Sequence, residues 1–168
     1  MSNHQHSGSQ HGRPYALFAL NMALSLVAMY LVMFTMIDTW GDFRNNLNTL
    51  YMALTMVAPM GIIMLLTMPG MYPSKRTNLF IHAGLVAVFV LSLAGTRTQT
   101  AIDDKQFVAS MVPHHSGAIL MCREANLSDA ELVKLCEEIA VAQRREIEQM
   151  DAIRARLRAP LHARGLPK

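Results

Sequence analysis

Three long apolar segments follow one another in the first hundred residues of the chain. They cover residues 15–37, 47–68 and 79–95. Each is close to the roughly 20 residues that an α-helix needs to cross a bilayer. Charged side chains are rare over residues 14–96, which hold only Asp38, Asp42, Arg44, Lys75 and Arg76. This pattern predicts a membrane domain of three helices over residues 15–96.

The remaining residues, 97–168, alternate apolar and charged positions with the period of amphipathic α-helices. We expect two helices, over about 101–125 and 129–157, followed by a basic tail. Thr100 with Asp103, and Ser128 with Glu131, resemble the capping boxes that begin helices. The predicted fold class is therefore all-α, with three transmembrane helices followed by a helical hairpin. Residues 1–14 form a Gly/Ser-rich arm with three histidines, and we expect this arm to be disordered.

Composition agrees with a membrane protein. Hydrophobic residues make up 52% of the chain and charged residues 16%, against about 25% charged residues in ordinary soluble domains. The chain has no glycine-rich phosphate loop, no nucleophile elbow and no zinc-finger spacing. We therefore expect no enzymatic activity and no nucleic-acid partner, and we expect the lipid bilayer to be the main partner.

The basic residues near the apolar segments predict an orientation. Arg13 precedes the first segment, and Lys75 and Arg76 lie between the second and third. The positive-inside rule places these residues in the cytoplasm. Three crossings then place the C-terminal hairpin outside, in the periplasm if the membrane is the inner membrane of a Gram-negative bacterium.

Helical periodicity predicts which side chains the hairpin buries. One face of the first helix holds Asp104, Phe107, Met111, His114, His115, Ala118, Met121 and Cys122. One face of the second holds Leu132, Cys136, Ile139, Gln143, Glu146, Ile147 and Met150. Polar groups on these inner faces need partners, since burying them alone is costly. With a turn centred near Leu127, Met111 is expected opposite Gln143. Cys122 and Cys136 are expected one turn out of register, as small buried residues without a disulfide.

The segment MVPHHSGAILM, residues 111–121, predicts a metal site. Pro113 removes a backbone hydrogen bond and bends a helix, so that Met111, His114 and His115 can face one ion. Thioether sulfur favours Cu(I), which imidazole also suits. The predicted ligands are Met111, His114, His115, Met121 and Met150, and the predicted supporting groups are Asp104, Gln143 and Glu146. The alternative is that the histidines are core residues hydrogen-bonded to Gln143 and Glu146.

The same residues resemble a known family. The run DKQFVASMVPHHSGAILMCREA followed by AQRREIEQM is similar to domain of unknown function 305 over roughly residues 100–157. That family shares an ordered pattern, matched here by Asp104, Phe107, Met111, His114, His115, Ala118, Met121, Gln143, Glu146 and Met150. The resemblance implies a ferritin-like helical fold, export from the cytoplasm and copper binding. It implies nothing about the three apolar segments.

The apolar segments also contain regularly spaced methionines and one histidine. Met52, Met56, Met60, Met64 and Met68 recur at every fourth position, and Met22, Met29, Met33 and Met36 cluster on one face of the first segment. Contact with lipid or with neighbouring helices explains such stripes, and a path for Cu(I) is the alternative. His82 lies inside the third segment, where an ionisable residue is a functional hypothesis.

These observations predict a membrane-anchored periplasmic protein that handles Cu(I). The alternative is a non-catalytic accessory subunit of a larger membrane complex. An oxidoreductase is the least favoured of the three functions, because the sequence lacks the repeated Glu-x-x-His pairs of di-iron bundles. Two amphipathic helices bury little surface, so we expect the hairpin to pack against its own copy or another membrane subunit.

Overall fold

The computed structural model describes residues 12–158, and regular structure in that range is entirely helical. The five α-helices are α1 (Gly12–Val32), α2 (Leu47–Thr67), α3 (Lys75–Thr98), α4 (Asp104–Glu124) and α5 (Ala130–Arg158). Short 3₁₀ helices at Met33–Met36 and Trp40–Asp42 follow α1. The predicted all-α fold class is thus confirmed. The N-terminal arm lies outside the described residues up to residue 11, as does the basic tail from residue 159.

Within residues 12–158, three helical segments are long and apolar enough to cross a membrane. They are Arg13–Met36, Leu47–Thr67 and Lys75–Thr98. The prediction of three helices that are apolar enough to cross a membrane is confirmed, and the third of them begins four residues earlier than expected. Many of their large apolar side chains are exposed on the outside of the protein, such as Leu24 at 62% and Leu91 at 71%. This surface suits contact with lipid, because lipid tails are as apolar as these side chains.

Residues 12–158 form two compact units. One comprises residues 12–32 and 50–100, and the other residues 33–49 and 101–158. The second unit therefore contains the hairpin together with the segment between α1 and α2. We call residues 33–49 the connecting loop.

The first unit, which contains the three apolar helices and which we call the membrane unit, packs around aromatic and sulfur-containing side chains. Phe18, Leu65 and Tyr72 form its buried cluster, with Met22 and Met64 against it. Gly61 allows the closest approach, since a Cβ there would lie 2.9 Å from Met22 Sδ. The methionine stripe of α2 does not share one environment, because Met64 packs inside whereas Met52 and Met56 are exposed.

The hairpin unit is held by an apolar seam between α4 and α5. Its core consists of Val108, Val112, Ile119 and Ile147, with Met150 and Ile153 packed against it. Asp103 begins α4 by accepting a hydrogen bond of 2.8 Å from the Gln106 amide, and Asp129 accepts one of 2.8 Å from the Leu132 amide at α5. These caps replace the expected ones at Thr100 and Ser128. Helix α4 continues through Pro113.

The buried face of α4 differs from the predicted one. The buried positions are Val108, Ala109, Val112, Ser116 and Ile119. Of the residues expected inside, Phe107 is 51% and Met121 60% exposed, and His114 is exposed. The prediction was wrong because it considered two helices only, whereas the connecting loop packs against a second side of α4. On α5 the predicted face is largely correct, except that Leu132 is 44% exposed.

Two aspartates of the connecting loop fasten it to the hairpin. Asp38 is only 2% exposed at its side chain and accepts hydrogen bonds from Arg123 and Arg144. Ser116 donates to Asp42 Oδ2 at 2.6 Å and accepts from the Asp38 amide at 2.7 Å. Sequence reasoning missed these residues, although two acidic residues in a short loop between apolar segments are a visible signal.

Further contacts fix the rest of the connecting loop. Arg44 pairs with Asp151 near the C-terminal end of α5 at 3.0 Å, and the Leu47 amide donates to Gln106 at 2.9 Å. Gly117 allows the loop backbone to approach α4, because a Cβ at this position would lie 3.1 Å from the Met36 carbonyl oxygen. The connecting loop therefore supplies, within the same chain, a packing partner that the hairpin was expected to need.

The register between α4 and α5 is also shifted from the predicted one. Cys122 and Cys136 form a disulfide, with their Cα atoms 5.2 Å apart, so the prediction of unlinked cysteines was wrong. The linker between the helices, residues 125–129, is not helical, and non-helical residues can rise more than the 1.5 Å per residue of a helix. Because Cys122 is level with Cys136, the first turn of α5 projects beyond the end of α4.

Candidate functional site

His115 lies at the seam between α4 and α5, facing Glu146. Its Nδ1 is 3.0 Å from Glu146 Oε2, although the contact lacks the directional geometry of a hydrogen bond. Nδ1 is buried and has no hydrogen-bond partner among the described residues. The predicted neighbour Glu146 is therefore brought to the histidine pair, one turn closer than the expected register would place it.

The surroundings of His115 favour its neutral form. Burial lowers the pKa of the imidazole, and the neighbouring His114 lowers it further, while Glu146 raises it by a smaller amount than burial lowers it. Desolvation dominates because taking a charge out of water is costly. The ring is therefore neutral near pH 7, the state in which imidazole binds metal ions.

His114 extends the pair towards solvent. Its ring centroid lies 6.1 Å from that of His115, and the two rings are tilted by 60°. With metal–nitrogen distances of about 2.0 Å, the centroids of two imidazoles on one ion lie about 5 to 6.5 Å apart. The spacing of the two rings is thus compatible with a shared ion, although adjacent residues on a helix diverge by about 100°.

Two of the predicted methionines lie level with each other next to His115. Met111 is one turn before His115 on α4, and Met150 is one turn after Glu146 on α5. Because the helices are antiparallel, both turns run in the same direction from the His115–Glu146 contact. Both methionines are half-buried, and Met150 packs against the core cluster that includes Val108 and Val112. Met111 and Met150 therefore lie at the same level of the hairpin, one turn from the His115–Glu146 contact, and Met150 packs at the seam.

The other predicted site residues lie apart from this group. Met121 is 60% exposed, and six helical residues separate it from His115 by about 9 Å along the axis. Asp104 is exposed in the first turn of α4. Gln143 is half-buried on α5, and within residues 12–158 it makes no hydrogen bond to either histidine.

Conventional metal clusters are missing from this part of the chain. Within residues 12–158, no group of three or more His, Cys, Asp or Glu side chains is placed to hold a metal ion. An ion on the hairpin would therefore need methionine sulfur or donors from a second chain. The disulfide removes Cys122 and Cys136 from the available thiolates.

His82 is a separate feature of the membrane unit. Its Nδ1 lies 2.7 Å from the Asn78 carbonyl oxygen, one turn earlier on α3. Its Nε2 is buried without a hydrogen-bond partner among the described residues. The backbone contact fixes the ring, and no cluster of metal-ligating side chains in the described range includes it.

Comparison with known proteins supports the family resemblance. Domain of unknown function 305 matches residues 92–154, from the end of α3 through most of α5. Uncharacterized protein L153 of Acanthamoeba polyphaga mimivirus is 33% identical over 141 residues, which are 82% of this chain and 91% of the viral protein. No solved structure matches the chain significantly. The chain therefore belongs to the same family as this viral protein, and its α4–α5 hairpin is a domain of unknown function 305.

Proposed function

We propose that this protein is a membrane-anchored metal-handling protein that binds Cu(I) on the α4–α5 seam. The observation that carries the proposal is His115, whose Nδ1 is buried and lies 3.0 Å from the Glu146 carboxylate. Contact with Glu146 on the Nδ1 side leaves Nε2 as the ligand atom, as carboxylates commonly do for metal-bound histidines.

The donor set selects the metal. Met111 and Met150 supply thioether sulfur and His115 supplies imidazole, with His114 as an additional imidazole at the solvent side. Sulfur with imidazole suits Cu(I), whereas zinc sites use thiolate, imidazole and carboxylate, and magnesium and calcium require oxygen. Met121 stands outside this set because it lies more than one turn away on the exposed side of α4.

The disulfide supports a location outside the cytosol. Disulfides persist in oxidising compartments and are rare where glutathione keeps thiols reduced. The Cys122–Cys136 pair therefore agrees with the orientation inferred from Arg13, Lys75 and Arg76, which places the hairpin on the side opposite the cytoplasm. If all three apolar helices span the membrane, the connecting loop lies on the same side as the hairpin. The contacts between the connecting loop and α4 require this placement.

Cu(I) competition against a chromogenic chelator tests the proposal on the full chain in detergent. His115→Ala and Met150→Leu are expected to weaken Cu(I) binding by about tenfold or more, the lower end of what even an outer-shell partner contributes. Met121→Leu is the matched control, since it removes a thioether from the same helix at a position away from the seam. Equal affinities for Met150→Leu and Met121→Leu would contradict the proposed donor set.

A second function is supported by another surface. Helix α5 exposes large apolar side chains away from the seam, among them Leu135 at 48% and Val141 at 73%. An accessory subunit of a membrane complex would bury such residues against a different protein. Purification in mild detergent with a partner at fixed stoichiometry, without Cu(I) binding, would favour this function over metal handling.

A further inference from the structure

One side of α4 carries no charge over nearly its whole length. It presents Phe107, Ser110, Met111, His114, Ala118 and Met121, which recur at intervals of three or four residues. The helix uses its other sides for α5 and for the connecting loop. On this side Phe107, His114 and Met121 are exposed, and the other three residues are half-buried. Phe107 and Met121 are 51% and 60% exposed. We call these six residues the α4 stripe.

The order of large and small residues in the α4 stripe is self-complementary. Phe107 lies seven residues before His114 and Met121 seven residues after it. Met111 lies three residues before His114, and the small residue Ala118 lies four residues after it. A two-fold axis through His114 would therefore place Phe107 against Met121 of a second copy, and Met111 next to Ala118 of that copy.

Each of these contacts is favourable. Methionine sulfur packs well against the edge of an aromatic ring, and small residues allow a neighbouring helix to approach closely. No charge is buried, because every charged residue of α4 lies outside the stripe. Symmetric association requires one patch that complements itself, and the α4 stripe has this property.

We propose that a second copy of this chain packs on the α4 stripe in antiparallel register about His114. The pairing joins two hairpins into a four-helix arrangement and brings His114 of both copies together at its centre. Metal-ligating side chains from two chains then meet at a place where one chain alone has too few ligands for a metal ion. Confinement of both copies to one bilayer raises their effective concentration, so a short helical interface suffices. The dimer itself does not depend on copper binding.

Charge complementation between two tagged copies tests the register. In the full chain in detergent with a metal chelator, Phe107→Lys and Met121→Glu should each abolish the dimer. Mixing the two variants should restore a heterodimer, because the introduced lysine of one chain would face the introduced glutamate of the other while the second Phe–Met pair remains native. Val141→Lys is the matched control, since it adds the same charge at a more exposed apolar position on α5.

Native mass spectrometry reads out the result through the different masses of the tagged chains. The proposal expects a dimer of the parent chain and of Val141→Lys, monomers of each single stripe variant, and heterodimer after mixing. A monomeric parent chain would overturn it. So would a dimer that survives both stripe variants, which would indicate another interface, or a failure of the mixed variants to pair. None of these results depends on copper, so the dimer and the Cu(I) site can fail separately.

Discussion

Replacing Asp38 by Asn tests whether the connecting loop is part of the hairpin domain. The carboxylate is 2% exposed and accepts hydrogen bonds from Arg123 and Arg144. Hydrogen bonds to charged groups contribute about 1.5 to 3 kcal/mol each, and removing one partner of a fully buried ion pair costs about 3 to 5 kcal/mol. Both arginines are about half exposed, at 53% and 44%, so water compensates them in part.

The expected loss is therefore about 2 to 3 kcal/mol of docking free energy. Since every 1.4 kcal/mol is a factor of ten, the connecting loop should open roughly 30 to 150 times more often. Hydrogen exchange followed by mass spectrometry measures this opening in peptides that cover residues 33–46. Peptides of the α4–α5 seam near Ile147 should change much less, because the apolar core and the disulfide remain.

Glu148→Gln is the matched control, because it removes the same charge from an exposed position on α5. The reasoning is refuted if the loop peptides of Asp38→Asn exchange at the parent rate. It is also refuted if the control raises their exchange as much as Asp38→Asn does.

Two further predictions concern the hairpin. Cys136→Ser should lower hairpin stability by about 3 kcal/mol, the value for a closed loop of about 15 residues, because the two cysteines are 14 residues apart. Thermal melts of the parent chain with and without reductant should show the same loss. An unchanged melt would mean that no disulfide forms. Because burial lowers the pKa of His115 from 6.5, the unfolded chain takes up a proton first as the pH falls. The stability of the metal-free hairpin should therefore be full above pH 6.5 and decline below it. Thermal melts about one pH unit above and one below that value measure the decline. His115→Gln should remove the part of the decline that His115 causes.

The sequence predicts features of this fold that depend on neighbouring residues. Uninterrupted apolar runs locate the three spans, because length and hydropathy alone decide whether a helix can cross a bilayer. The caps are displaced only slightly, from Thr100 to Asp103 and from Ser128 to Asp129, since several adjacent residues can cap a helix.

Features that depend on distant residues could not be predicted in the same way. The register of α4 against α5 depends on the path of the non-helical residues 125–129. This register decides that Cys122 meets Cys136 and that Glu146 meets His115. The buried face of α4 depends on the connecting loop, which lies some 70 residues earlier in the chain. A helical wheel for the hairpin alone therefore assigned Phe107 and Met121 to the interior. A ferritin-like arrangement stays a prediction, because it needs a second pair of helices.

The measurement that tests the central claim most directly is a Cu(I) competition with the double variant His114→Ala/His115→Ala in the full chain. The seam geometry predicts that the parent chain holds Cu(I) against the chelator and that the double variant loses it, while hydrogen exchange of the hairpin peptides shows that α4 and α5 still pack. If the double variant binds Cu(I) as tightly as the parent chain, the histidines are packing residues and the protein does not handle copper at this site.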